Sequence, residues 1–345
     1  MPTFTVFPNI KPSSGGKGNP YISDFISAIN NEEGCKVVNE SHKNPLLSIL
    51  KPSNWGDIFI FNWFESIPDF KYGYIQSVLA ILLLFVLKIR HKKIIWVLHN
   101  KKPHQGNKRQ IKKIITYLIA KESDYIITHA SEGVRLINDR FSFTAGKTFY
   151  IDHPTKNRLS MITGMSLDKS YDVLIWGNII GYKGVYQYLR YVKEENVNDI
   201  RICVVGNCTT PQIAADIKSV ASKNTTLILK GAAFEELAEY IASTEFVLMP
   251  YLQDSILSSG ILMDSLSFGA KVIGPDTGSF RDYAMNKDLN VYVFNEYKDI
   301  SNIIENYRGI NISAEKYSEF LEKNNWKNFI GKTLNLINTS VTSCR

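Results

Sequence analysis

The sequence predicts an α/β protein made of two parallel-sheet domains, and three observations carry that prediction. Short apolar runs of strand length alternate with amphipathic helical runs through nearly all 345 residues. Many strand-like runs end in Gly, Pro, Asn or His, residues that turn a chain out of a sheet. The alternation fades once, over residues 155–169, and then restarts, which puts a hinge there.

The first half opens with a strand over residues 3–7, followed by PNIKPSSGGKGNP and a helix over residues 21–30. Gly15 and Gly16 allow that turn to be tight and to approach a sugar or phosphate closely, although on its own the segment is better explained as a plain turn. It is not a P-loop, because no Ser or Thr follows Lys17. Strands follow at 35–38 and 57–61, the latter with Asn62, Trp63 and Glu65 at its end. The apolar run 75–87 is shorter than the ~20 residues a bilayer crossing needs, so a largely buried crossover helix is expected, with monotopic membrane contact in addition. The strand 94–98 leads to His99, Asn100 and His104, where parallel sheets place ligands. Either histidine can serve as a base or orient a hydroxyl; the plainer reading is that His99 caps the strand with a local hydrogen bond and His104 is simply exposed. A basic helix at 108–121, a strand at 124–128 ending in His129, and a strand at 147–151 followed by His153 complete this half.

The second half restarts with a strand at 172–175 and the turn WGNIIGYKG. Strands at 201–205, 225–229, 245–249, 271–274 and 290–294 alternate with helices at 185–192, 211–221 and 234–241 and a helix in the run 260–268. Helices at 297–307, 314–321 and 325–337 close the chain. Three glycine-bearing turns follow strands: residues 177–184, residues 206–208 beginning with Gly206, and Ser258-Ser259-Gly260. Backbone N–H groups in such turns can hold a diphosphate, with Lys183 supplying a mobile positive charge. Asp264 lies inside an apolar helix, where it either faces solvent or needs polar partners such as ribose hydroxyls.

Composition narrows the classes. The chain is 44% hydrophobic and 21% charged, ordinary for a globular protein of 39.2 kDa. A formal charge of +7, spread along the chain, favours a phosphate-bearing ligand or an anionic membrane surface. No zinc-finger spacing, basic zipper or aromatic RNA-binding segment points to nucleic acid. Cys35, Cys203, Cys208 and Cys344 are not spaced as metal ligands, and the start of the chain does not read as a secretory signal, so a reducing cytoplasmic setting is expected. No DxD motif or compact carboxylate pair calls for Mg²⁺, so no metal and no cofactor are expected.

Three segments of the second half carry a resemblance: WGNIIGYKG at 176–184, PYLQDSILSSGILMDSLSFGAKVI at 250–273 and GPDTGSFRDY at 274–283. IIWVLHNKKPH at 94–104 and NNWKNF at 324–329 add to it. Together they resemble bacterial glycosyltransferases of the GT-B type, near the retaining group 1 or family 4 enzymes of polysaccharide biosynthesis. The resemblance implies two Rossmann-like domains facing each other across a cleft, with a C-terminal helix crossing back to the first. The expected divisions are an acceptor-side domain at 1–160, a nucleotide-sugar domain at 168–322 and a crossover helix at 323–340.

The resemblance further implies transfer of a hexose from a UDP- or GDP-sugar to a glycan or polyprenyl-linked acceptor in capsule or exopolysaccharide synthesis, at the inner face of the plasma membrane. Lys183, His104 and His99 would be catalytic. Gly15, Gly16, Asn178, Lys183, Gly206, Ser258, Ser259, Gly260 and Asp264 would bind the donor, with Asp264 at a position the group fills with a ribose-binding glutamate. Two departures stand out: Asn178 replaces an arginine, and Ile256 replaces an acidic residue, with Asp254 a displaced candidate and Arg281 a source of compensating charge. An epimerase of similar build, or a nucleotide-sugar-binding subunit without catalysis, are the alternatives.

Overall fold

The computed structural model describes residues 2–10, 20–101, 108–165, 168–311 and 314–342. The chain divides into two compact units, Met1–His153 with Trp326–Arg345, and Pro154–Asn325.

The first unit runs β1 (Thr3–Phe7), α1 (Pro20–Asn31), β2 (Lys36–Val37), α2 (Pro45–Ile49), β3 (Ile58–Asn62), α3 (Gly73–Ile89), β4 (Lys93–Leu98), α4 (Arg109–Glu122), β5 (Tyr125–Thr128), α5 (Ser131–Arg140) and β6 (Thr148–Tyr150). Its sheet has the order β2-β1-β3-β4-β5-β6 with every pair parallel. A parallel sheet covered by helices needs strands that are apolar on both faces, and β3 (IFIFN) is buried at every position. Phe4, Val6, Phe25, Ile60, Val97 and Ile127 belong to one core cluster.

The helix α3 departs from the largely buried crossover expected of it. It buries Gln76, Ser77, Ala80, Leu83, Leu84 and Leu87 but leaves Tyr74, Ile75, Val78, Leu82, Phe85 and Ile89 exposed. Hydropathy alone cannot separate these cases, because the residues are apolar on both faces.

The second unit runs β7 (Tyr171–Trp176), α6 (Val185–Glu194), β8 (Ile202–Val205), α7 (Pro211–Val220), β9 (Thr225–Ile228), α8 (Phe234–Ala242), β10 (Thr244–Leu248), α9 (Gly260–Ser267), β11 (Val272–Pro275), α10 (Gly278–Ala284), β12 (Val291–Phe294), α11 (Asp299–Tyr307) and α12 (Ala314–Lys323). Its parallel sheet reads β9-β8-β7-β10-β11-β12. The chain therefore winds outward from β7 in one direction, returns, and winds outward in the other. Residues of α6, α7 and α11 (Leu189, Ile217, Ile300) pack in one core cluster, and residues of α8, α9 and α10 (Leu237, Leu262, Phe280) in another.

The segment expected as a hinge is tied to this unit at its start. Thr155 N–H donates to Asn324 O at 2.9 Å, Thr155 Oγ1 donates to Met263 O at 3.0 Å, and Arg158 N–H donates to Ser267 O at 2.9 Å. The chain then returns to the first unit as α13 (Trp326–Thr342), which meets α1 through Phe25–Phe329 at 5.3 Å and Tyr21–Trp326 at 5.2 Å.

Candidate active site

In doubly wound sheets the ligand crevice opens beyond the strand C-termini where the winding reverses, here between β7 and β10. The turns at that point pack backbone against backbone. A Cβ on Gly206, which follows β8, would fall 1.8 Å from Gly177 O; one on Gly184 would fall 1.9 Å from Pro250 O, and Gly184 has φ 68°. No residue with a side chain fits either place. The turns after β7, β8 and β10 are thereby drawn together, and Ser279 N–H joins the β11 turn to Leu257 O at 2.7 Å.

Lys183 sits in the middle of this arrangement. An added Cβ on Gly177 would lie 3.5 Å from its Nζ and 2.5 Å from Ile261 in the first turn of α9. The Lys183 side chain is 9% exposed, its ammonium lies 5.8 Å from the centre of the Tyr251 ring, and among the described residues it makes no ion pair. Burial pushes its pKa down to about 8. Such a cation is short of an anion.

The N-terminus of α9 is the second element of the site. Ser259 is buried, and its Oγ accepts from Leu262 N–H at 3.3 Å, capping the helix. The Tyr251 hydroxyl is 3.4 Å from the same Oγ. Ser258 is half-buried, and the position where Gly260 would carry a Cβ opens on empty space. The first amides of a helix have no intrahelical acceptor and carry the positive end of its dipole, so this turn suits phosphate.

Other expected residues lie differently. Asp264 is ion-paired with Arg158 at 3.1 Å; Arg158 also donates to Ser267 Oγ at 2.8 Å and stacks 4.0 Å from the Phe234 ring. Asn178 is exposed, as is Asp254. Ile256 is buried in the core cluster that contains Leu262 and Phe280. Arg281 binds Asp276 at 2.7 Å, so its charge is already engaged. Gly15, Gly16 and His104 lie outside the described residues.

In the first unit, His99 joins a buried aromatic group at the ends of β3, β4 and β5 and beyond β6. Trp63, with a left-handed backbone at φ 49°, stacks on His99 with centroids 4.2 Å apart. His99 Nε2 lies 3.0 Å from Asn62 Oδ1, and Asn62 Nδ2 donates to Phe7 O at 3.2 Å. Because that amide oxygen must accept, His99 carries its proton on Nε2 and keeps a lone pair on Nδ1. His129 Nδ1 lies 2.9 Å from Ile151 O and must donate there, so its Nε2 accepts from the Tyr21 hydroxyl at 2.8 Å. Burial pushes His99 well below the usual histidine range and His129 down to about 4, so both are neutral at pH 7. His153 stands 4.8 Å from His129, ring to ring. In the sequence His129 and His153 each follow a strand, as His99 does, and that shared position is the signal that groups them.

Among the described residues no group of three or more His, Cys, Asp or Glu could hold a metal ion. No helix among them is long and apolar enough to cross a membrane.

No family model matches the chain. The solved structure of Anabaena HepE with UDP-glucose superposes with a TM-score of 0.67 over 97% of this chain and 100% of that one, at 10% identity. This chain has the GT-B glycosyltransferase fold. A TarM variant from S. aureus, solved with UDP and α-GlcNAc-glycerol, gives a TM-score of 0.60 at 14% identity over 86% of this chain, which spans only 59% of TarM. Among curated proteins, a GDP-mannose:glycolipid 4-beta-D-mannosyltransferase of Xanthomonas campestris pv. campestris is 25% identical over 281 residues, 79% of this chain and 74% of that protein.

Proposed function

We propose that the chain is a glycosyltransferase that moves a hexose from a UDP- or GDP-sugar to a hydroxyl of a glycan or lipid-linked saccharide, without a metal ion, on the cytoplasmic side of a membrane. The observation that carries this reading is the buried Lys183 ammonium, lacking an ion-pair partner among the described residues and set among the strand-end turns of the second unit. A diphosphate supplies the missing anion. The structures of HepE and TarM named above hold UDP or UDP-glucose, and the mannosyltransferase is named for GDP-mannose and a glycolipid.

In the reaction, the bond from the sugar's anomeric carbon to the diphosphate breaks and a bond to the acceptor oxygen forms. Charge grows on the leaving diphosphate, where Lys183 and the amides before α9 stabilise it more in the transition state than in the ground state. The acceptor hydroxyl gives up its proton to water as the new bond forms; His99, which burial holds well below the usual histidine range, is too weak a base to take that proton and is left the role of orienting a hydroxyl. Asp264 reaches ribose only by sharing or leaving Arg158. Because Ile256 is packed in the core, the likeness to the retaining group does not extend to its donor-sugar carboxylate.

The test is incubation of the full chain with UDP- and GDP-hexoses and a lipid-linked saccharide fraction, reading release of the nucleoside diphosphate and the product's anomeric configuration by NMR. Transfer that needs both substrates supports the proposal. A donor sugar altered without acceptor indicates an epimerase, and binding without release indicates a non-catalytic subunit.

A further inference from the structure

The exposed side of α3 is the largest feature of the first unit that the reaction does not use. At 100° per residue, Tyr74, Ile75, Val78, Leu82, Phe85 and Ile89 fall on a single stripe about 100° wide, opposite the buried face. The helix has 17 residues, so the stripe is about 25 Å long. Ile75 is 63% exposed and Ile89 74%. A continuous strip of this size exceeds what a soluble monomer ordinarily leaves in contact with water.

The charge around it has one sign. Residues 71–93 contain Lys71, Lys88, Arg90, Lys92 and Lys93 and no Asp or Glu. The next crossover, α4, packs beside α3 on the same side of the sheet, because β3, β4 and β5 follow one another in order. Its outer side adds exposed Ile114 and Tyr117 between Arg109, Lys113 and Lys121. The nearby acids are engaged: Asp124 pairs with Lys88, Asp57 with Lys92 and Asp69 with Lys112. At one end of the stripe, Lys71 and Lys108 lie 5.2 Å and 5.0 Å from the rings of Tyr72 and Tyr74. Aromatic rings capped by lysines suit the boundary between hydrocarbon and headgroups.

We propose that the outer faces of α3 and α4 lie on an anionic lipid bilayer, with α3 parallel to the surface and its apolar stripe inserted below the phosphates. Charge decides for lipid over a second copy of the chain: a two-fold pairing of this face would set the same cations against one another, whereas anionic headgroups neutralise them. The proposal does not rest on the sugar-transfer reading, since its test contains no sugar.

The full chain is floated with phosphatidylcholine vesicles with and without phosphatidylglycerol. Binding is expected to require the anionic lipid and to weaken as NaCl rises from about 0.1 M to about 0.5 M. The double variant V78E/L82E is expected to lose more than about tenfold in vesicle affinity with its melting temperature unchanged, as its sites are exposed. Lys113→Glu is expected to reduce the dependence on anionic lipid. Should V78E/L82E fail to fold, slower tryptic cleavage of the wild type at Arg90 and Lys93 on vesicles gives the same answer. Wild-type protein that ignores anionic vesicles, or that sediments as a dimer which V78E/L82E dissociates while vesicles bind neither form, overturns the proposal.

Discussion

Lys183 is held in a state that costs the free protein stability. Its folded pKa, about 8, lies below the ordinary 10.5, so the folded state binds fewer protons between those values and stability rises with pH across that window. At pH 7 the full penalty applies, on the order of 3 kcal/mol at 1.36 kcal/mol per pH unit. Lys183→Met is therefore expected to be more stable than wild type at pH 7 in urea unfolding, and to show no thermal shift with a nucleotide sugar. Glu65 is the acidic counterpart: it is buried, accepts from Trp96 Nε1–H at 3.3 Å, and burial raises it to about 7. Its stabilising contribution is complete below about pH 4.5 and lost as pH rises through about 7. Glu65→Gln is accordingly expected to gain about 3 kcal/mol on wild type between pH 4.5 and 8, read from urea midpoints across that range. Lys183 could be found in the sequence because two glycines flank its turn; the Arg158–Asp264 pair could not, since residues 106 positions apart show no mutual pattern in a single chain.

Elements with a clear hydrophobic period were legible, and their ends fell close to those observed. The strand expected at 225–229 ends at Ile228, and the helix expected at 234–241 ends at Ala242. What failed has physical reasons. α10 begins inside GPDTGSFRDY, whose glycines and proline read as a turn, yet Ser279 bonds Leu257 and Phe280 is fully buried, so packing supplies what local propensity lacks. α2 has only five residues, too few to show a period. α3 was legible as a helix but not as one with an exposed apolar side, because burial of one face leaves no mark when both are apolar. The glycine turns admit a sharper test. Gly184→Ala must place a methyl group 1.9 Å from Pro250 O at φ 68°, so the loop must move. A loss of about 2 to 4 kcal/mol in urea unfolding is expected, with nucleotide-sugar affinity weakened as Lys183 is displaced. An unchanged midpoint would show that the turn does not depend on this contact.

At the level of the whole molecule, two parallel sheets were predictable because only alternating strands and helices can cover such sheets on both faces. The strand order was not, since the reversal at β7 and β10 depends on which strands pair, and pairing has no local signature. That reversal sets the turn carrying Lys183 at the end of the sheet where folds of this kind bind ligands, and the central proposal is that Lys183 grips a diphosphate there. Calorimetric titration of the full chain with UDP-glucose and GDP-mannose between pH 7 and pH 9 tests this most directly, since the diphosphate of a sugar nucleotide does not titrate in that range. The account predicts single-site binding of at least one of them, with affinity constant below about pH 8 and falling above it as the unliganded lysine loses its proton, by at most about tenfold per pH unit. No binding of either compound, or an affinity that stays level to pH 9 and survives Lys183→Met, would contradict it.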